Sequence, residues 1–159
     1  MTTMPQIRPV ALAAIRRGGD ILVFEGYDAT KQETFYRPLG GGIEFGESAA
    51  EAVERELREE LAVELSDVAL LGVLENIFTA FGREGHEIVF VYSADLVDQS
   101  MYARDAVGHV IDEGSPVTWQ PLSRFISGGA ILYPRGLLGL LPTVTPCDEP
   151  LAPARNPTS

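Results

Sequence analysis

The chain has 159 residues, of which 45% are hydrophobic and 22% charged, enough for one domain with an ordinary core. A formal net charge of −11 and a pI near 4.5 exclude an extended basic surface for DNA or RNA, because that affinity comes from Lys and Arg neutralising phosphates. Small phosphorylated ligands stay open, through a metal. Cys147 is the single cysteine, so no intramolecular disulfide can form. The start Met1-Thr2-Thr3-Met4-Pro5-Gln6 has no basic then apolar pattern, and no run approaches the roughly 18 apolar residues of a membrane span. The expected compartment is the cytoplasm, with no membrane partner.

Ile7 to Ile15 is apolar but for Arg8 and Pro9. After Arg16-Arg17-Gly18-Gly19-Asp20 the run Ile21-Leu22-Val23-Phe24 follows, which reads as a β-hairpin turned at the glycine pair. Gly26 to Glu33 reads as a polar loop, and Thr34-Phe35-Tyr36-Arg37 as a short strand stopped by Pro38. Gly40-Gly41-Gly42 then gives a loop whose backbone can approach a ligand closely. Ser48 to Leu61 contains no Pro or Gly and is rich in Ala, Glu, Leu and Arg, so a helix of about four turns is expected. Glu47 and Ser48 suit its first turn, and Ala49, Val53, Leu57 and Leu61 form its apolar stripe.

Val68 through Phe81, the turn Gly82-Arg83-Glu84-Gly85, and His86 to Tyr92 read as a long hairpin whose second arm is apolar enough to be covered on both faces. His86 and Glu87, beside that turn, read as a sheet-edge pair, and Trp119 as packing. Asp98 to Gly108 is a mixed polar connection, Val117-Thr118-Trp119 a further strand, and Pro121 to Ile126 the start of a short helix. A last helix spans Pro134 to Leu141, with Leu137, Leu138, Leu140 and Leu141 to bury. The sum is a mixed sheet with helices packed on it, an α/β (α+β) layered domain over residues 1–141. From Pro142 onward five prolines fall in 18 residues, a composition expected to be disordered.

The chemistry concentrates between Gly41 and Val63. Residues on a helix turn by about 100° each, so Glu56, Glu59 and Glu60, at i, i+3 and i+4, share one side. Like charges so placed repel by some tenths of a kcal/mol per pair unless a cation sits among them. Crowded carboxylate oxygens suit Mg²⁺ or Mn²⁺, whose shell a substrate phosphate can complete. Taken alone, three glutamates are more often a solvated face. The glycine run just ahead of the helix and Arg37 upstream add backbone groups and a guanidinium for phosphate, which makes Arg37, Gly41 and Gly42 the candidate substrate contacts.

Gly41, five residues, Glu47, seven residues, then Arg55-Glu56-Leu57-Arg58-Glu59-Glu60-Leu61-Ala62-Val63 resembles the signature of the Nudix hydrolases, with one departure: Ala62 stands where the family has glycine. Glycine there ends the helix with a positive φ, and alanine would cost on the order of 1 kcal/mol, so a slightly different helix exit is expected. The resemblance implies a Nudix-type α/β/α sandwich. It implies Glu56 and Glu60 as main metal ligands, Glu59 directly or through water, and the Gly40 carbonyl completing the set. Arg55 would orient the glutamates with Glu47 as its structural partner. A further acid from a distant loop is implied too, with Glu113 the candidate and Asp112 its rival.

The implied reaction is Mg²⁺-dependent attack of an activated water on a phosphorus of a nucleoside diphosphate joined to another group, with Glu59 or Glu113 taking the proton. Two alternatives stand beside it. One is a catalytically silent Nudix-like module that binds a nucleotide, supported by Ala62 alone. The other is an isoprenoid diphosphate isomerase, for which Cys147 is a poor acid/base group. Homodimerisation is also compatible with the resemblance. The nucleoside or other group would be read by loops around 27–35, 79–86 and 98–114.

Overall fold

A computed structural model describes residues 4–142; the expected tail and Cys147 lie outside the described residues. Among the described residues there are eight strands and three α-helices, β1 Ile7–Arg17, β2 Asp20–Asp28, β3 Glu33–Arg37, β4 Gly40–Gly42, α1 Ala49–Leu61, β5 Leu65–Ala80, β6 Arg83–Leu96, β7 Ala106–His109, β8 Pro116–Pro121, α2 Leu122–Ile126 and α3 Leu137–Leu140, with a 3-10 helix at Gln99–Ala103. β1 is the middle of the molecule. It runs parallel to β6 and antiparallel to β4, and beyond β6 lies the long edge strand β5. At its end β1 turns into β2 through only two residue pairs, Arg16 with Ile21 and Arg17 with Asp20. There the strands splay, and β2 carries a second, antiparallel group made of β3, β8 and β7.

Alternation along β1 explains the layering. Ala11, Ala13 and Ile15 face one apolar cluster with Val53, Leu57 and Leu61 of α1, whereas Val10, Leu12 and Ala14 face a second with Phe125, Leu137 and Leu141 from the C-terminal helices. A strand buried on both faces reads as an unbroken apolar run, as Val10 to Ile15 does. β6 does the same, sending Val89 and Val91 to one cluster and Tyr92, Ala94 and Leu96 to the other. Helices thus cover both faces of the sheet, the expected α/β/α sandwich. Each fully buried leucine, such as Leu57, contributes about 2 kcal/mol of apolar transfer free energy.

The structure departs from the sequence reading in four places. Gly40–Gly42 is a strand paired with Val10 to Leu12, because β1 has a free edge there and only glycine can lie so close: a Cβ on Gly40 would collide with the Ala11 carbonyl oxygen. β7 forms inside the polar connection, held by β8 rather than by its own propensity. His86 and Glu87 are not at a sheet edge, since β6 is flanked by β5 and β1. In the last helix Leu137 and Leu141 are buried, Leu140 packs against Gly72, and Leu138 stays exposed.

Candidate active site

Helix α1 opens with a full capping box. Ser48 accepts the Glu51 N–H at 3.1 Å, and the Glu51 carboxylate accepts the Ser48 N–H at 2.9 Å. Its apolar stripe fixes which face meets β1, so the opposite side of the same turns must present Arg55, Glu56, Glu59 and Glu60 toward β4 and the cleft. The exit is left-handed. Ala62 takes φ 55° and ψ 39° and donates its N–H to the Arg58 carbonyl at 3.0 Å. The altered exit expected from Ala62 is therefore not found: alanine adopts the glycine geometry, held by its own hydrogen bond and by the buried Val63 that follows.

Arg55 is the hub. Its Nε and Nη2 donate to the two oxygens of Glu47 at 2.7 and 2.9 Å, a bidentate fork, and Nη2 also donates to the Gly42 carbonyl at 3.0 Å. Nη1 donates to Glu56 at 3.0 Å and to Glu59 at 3.1 Å, with Glu44 at 3.9 Å. Hydrogen bonding to Glu47 pushes the Arg55 pKa up, and the same bond holds the Glu47 carboxyl below its usual range. One guanidinium thus faces four carboxylates. The local charge stays strongly negative.

Glu60 lies deeper. It accepts the Gly40 N–H at 3.4 Å and forms no ion pair among the described residues. Burial first, and then the charge of Glu56, raise its pKa to about 7. Gly41 makes room for this arrangement, since a Cβ there would fall 2.6 Å from the Glu56 carboxyl carbon. Arg37 and Glu113 line one cleft with Gly40, Gly41 and Glu60. Glu113 reaches it because the turn 110–115 is tied to α1: the Ile111 N–H donates to the Glu60 carbonyl at 2.8 Å, satisfying one of the helix's free C-terminal acceptors. Asp112, the rival acid, occupies the left-handed position of that turn with φ 69°. Arg37 is anchored by the buried Glu87 at 3.1 Å, which leaves other donors of its fork for a ligand. Arg8 lines the same cleft. In the sequence it reads as a break in an apolar strand, and only the β1–β6 pairing shows its place.

Among the described residues no three acidic, imidazole or thiolate side chains close around a single point. The donor set nonetheless fits a hard divalent cation: every donor is an oxygen, Glu60 is partly buried with no counter-ion among the described residues, and the Arg55 hub leaves net negative charge on this face.

The Nudix domain family matches residues 6–125. The chain belongs to the Nudix family. Its similarity extends to the NAD-capped RNA hydrolase NudC of Erwinia tasmaniensis, 34% identical over 109 residues, which are 65% of this chain and 41% of that protein. The chain therefore spans less than half the length of that Nudix relative. The crystal structure of the MutT Nudix hydrolase from Burkholderia pseudomallei is 27% identical, with a TM-score of 0.57 over 74% of this chain and 85% of the other. A Nudix hydrolase from Nitrosomonas europaea aligns with a TM-score of 0.62 over 85% and 86% of the two chains, at 18% identity a likeness of fold alone. Nudix proteins generally use divalent metals. No described helix is long and apolar enough to cross a membrane.

Proposed function

We propose that the protein hydrolyses the diphosphate bond of a nucleoside diphosphate joined to another group, with Mg²⁺, or Mn²⁺ in its place. The observation that supports this is Glu60, a partly buried carboxylate with no cationic partner among the described residues, beside Glu56, Gly40 and Glu113 in a cleft that Arg37 also lines. Glu56 and Glu60 would hold the cation, with the Gly40 carbonyl, Glu59 and Glu113 as further oxygen donors. When bound, Mg²⁺ supplies charge neutralisation for the phosphate oxygens and acidifies water.

The chain's own groups do the rest. Arg37, braced by Glu87, and Arg8 bind phosphate oxygens on the open side of the cleft. Arg55 keeps Glu56 and Glu59 in fixed rotamers and does not reach substrate. Of the two candidates for taking the proton of the attacking water, Glu113 is favoured, because it lines the cleft while the Glu59 carboxylate is held by Arg55. The silent-module alternative loses its support once Ala62 keeps the left-handed exit.

The Erwinia relative is named for NAD-capped RNA, which also contains a diphosphate link to a nucleotide. A net charge of −11 favours the small diphosphate over an RNA body for this chain. A cytoplasmic location belongs to the same proposal. The test is a mass-spectrometric screen of nucleoside diphosphate derivatives with Mg²⁺ and with chelator. Metal-dependent cleavage that Glu60→Gln reduces at least 100-fold is expected, and wild-type turnover in that variant would overturn the assignment.

A further inference from the structure

The turn between β2 and β3 and the turn between β5 and β6 meet beside the cleft: a Cβ on Gly82 would lie 3.8 Å from the Thr30 hydroxyl oxygen. Each tip holds a non-glycine residue in the left-handed region, Gln32 at φ 52° and Phe81 at φ 53°. That conformation is strained for a bulky side chain and persists only where neighbouring bonds fix it.

One side chain bonds to both tips. Asp28, the last residue of β2, is 2% exposed. Its Oδ1 accepts the Thr30 N–H at 2.9 Å and the Lys31 N–H at 3.2 Å, the local turn that an aspartate commonly makes. Its Oδ2 accepts the Phe81 N–H at 2.9 Å, from 53 residues further along the chain. The first two bonds close the β2–β3 turn. The third adds nothing to that turn and sets the second tip against the first. The residue it holds stands at the rim of the cleft. Phe81 lines it together with Arg37, Gly40 and Glu60, and its ring lies 6.3 Å from that of Phe35, which lines it too. At 59% exposure the Phe81 ring adds little apolar burial, and a glycine or asparagine would adopt this backbone with less strain.

We infer that Asp28 is a positioning residue for substrate binding, which fastens the β5–β6 tip to the β2–β3 tip and so keeps Phe81 at the rim of the cleft. The inference rests on the diphosphate reading of that cleft. Asp28 does not touch substrate, because it is buried and both of its oxygens are taken by backbone N–H groups. It acts through the place it gives Phe81. A carboxylate suits this task because both oxygens must accept. Asparagine has the same shape but only one accepting oxygen, and its amide nitrogen would face an N–H donor on the other side. Two bonds outweigh one, so Asp28→Asn keeps the Thr30 and Lys31 bonds and releases Phe81. The substitution unfastens one tip and spares the other.

The test is a double-mutant cycle on ligand affinity, measured by calorimetry on the full chain with Mg²⁺. ADP is the probe, and inorganic diphosphate is the control for the metal and arginine end of the cleft. Asp28→Asn and Phe81→Gly should each weaken ADP at least fivefold, and the double variant no more than twofold beyond the weaker single, since both act through one ring. Inorganic diphosphate should keep its affinity within twofold throughout. Hydrogen exchange at the Phe81 amide should quicken in Asp28→Asn while the β1 and β6 amides keep their rates. Additive losses in the cycle, or a loss of inorganic diphosphate affinity in step with ADP, overturn the inference and leave Asp28 a general support of the fold. Phe81→Gly suits the backbone at an exposed site, so unchanged ADP affinity in that variant overturns it even where Asp28→Asn does not fold. Wild type that binds neither ligand sinks the diphosphate reading and the inference together, whereas ADP binding that Asp28→Asn leaves intact sinks the inference alone.

Discussion

The α1 face and the cavity of about 280 Å³ between the tips of the β2–β3 and β5–β6 hairpins are built on opposite principles. On α1 the functional groups come from one short stretch of chain, and a single guanidinium gathers Glu47, Glu56 and Glu59 with no help from distant strands. At the cavity the groups come from β1, β2, β3, β5 and β6, and one carboxylate, Asp28, gathers two turns that are more than fifty residues apart in the chain. The first is fixed by local spacing. The second exists only after the sheets have formed, and the difference predicts where each will break.

The largest effect should come from the loop acid. Glu113→Gln is expected to lower kcat by about 10²–10³-fold, in the range of a lost general base, whereas Glu59→Gln should cost less than tenfold. Steady-state kinetics on the substrate found by the screen gives the ratio, and equal losses would return the proton to Glu59. Next comes Arg55→Lys, which keeps the charge but cannot reproduce the fork on Glu47 together with contacts to Glu56, Glu59 and Gly42. It should lower kcat about tenfold with a smaller change in KM. Asp28→Asn should show the reverse, a rise in KM exceeding any fall in kcat, because it loosens the two hairpin tips beside the cleft and leaves the carboxylates alone. A kcat defect in Asp28→Asn would collapse the contrast between the two regions.

Acidity separates them further. Glu60 has a folded-state pKa raised to about 7 from an ordinary 4.5, so the folded state binds the extra proton between those values. Without metal, stability should therefore fall as pH rises from about 4.5 to 7 and level off above it. Melting temperatures in chelator should trace that slope, and Glu60→Gln should flatten it. Asp28 is the opposite case. The Phe81, Lys31 and Thr30 N–H groups hold its carboxyl below the usual value of 3.8, so its contribution is present above that value and lost as the solution is acidified through the lower one. The smallest effect is Ala62→Gly, which should relieve the left-handed strain by about 0.5–1 kcal/mol and raise the melting temperature by roughly 2–3 °C.

The same contrast explains what could be read from the sequence. Glu56, Glu59 and Glu60 were legible because helical geometry turns spacing into proximity, and Arg55 through the resemblance of Gly41 to Val63 to the Nudix signature. Both hairpins were legible from their apolar runs and turn glycines. β4 was not, since three glycines carry no strand propensity and pair with β1 only because its edge is open at Val10 to Leu12. Arg8, Asp28 and Asn76 were not, because a lone polar residue in or beside a strand gives no sign of which cavity the finished sheet will turn it toward. Phe35 and Phe78 read from the sequence as strand aromatics, able to stack a base but more often core, and the glycines on which their rings lie become their partners only through strand register.

The bond from the Ile111 N–H to the Glu60 carbonyl makes the turn 110–115 a spacer of fixed length. Most surface turns can gain or lose a residue and let the slack bulge into solvent. This one is pinned to the end of α1 at Ile111 and to itself through the Gly114 N–H on the Val110 carbonyl and the Val110 N–H on the Ser115 carbonyl. An insertion between Ile111 and Ser115 would therefore swing the Glu113 carboxylate away from Glu60 without disturbing either residue's identity. If Glu113 acts as proposed, the length of this segment matters more than its composition.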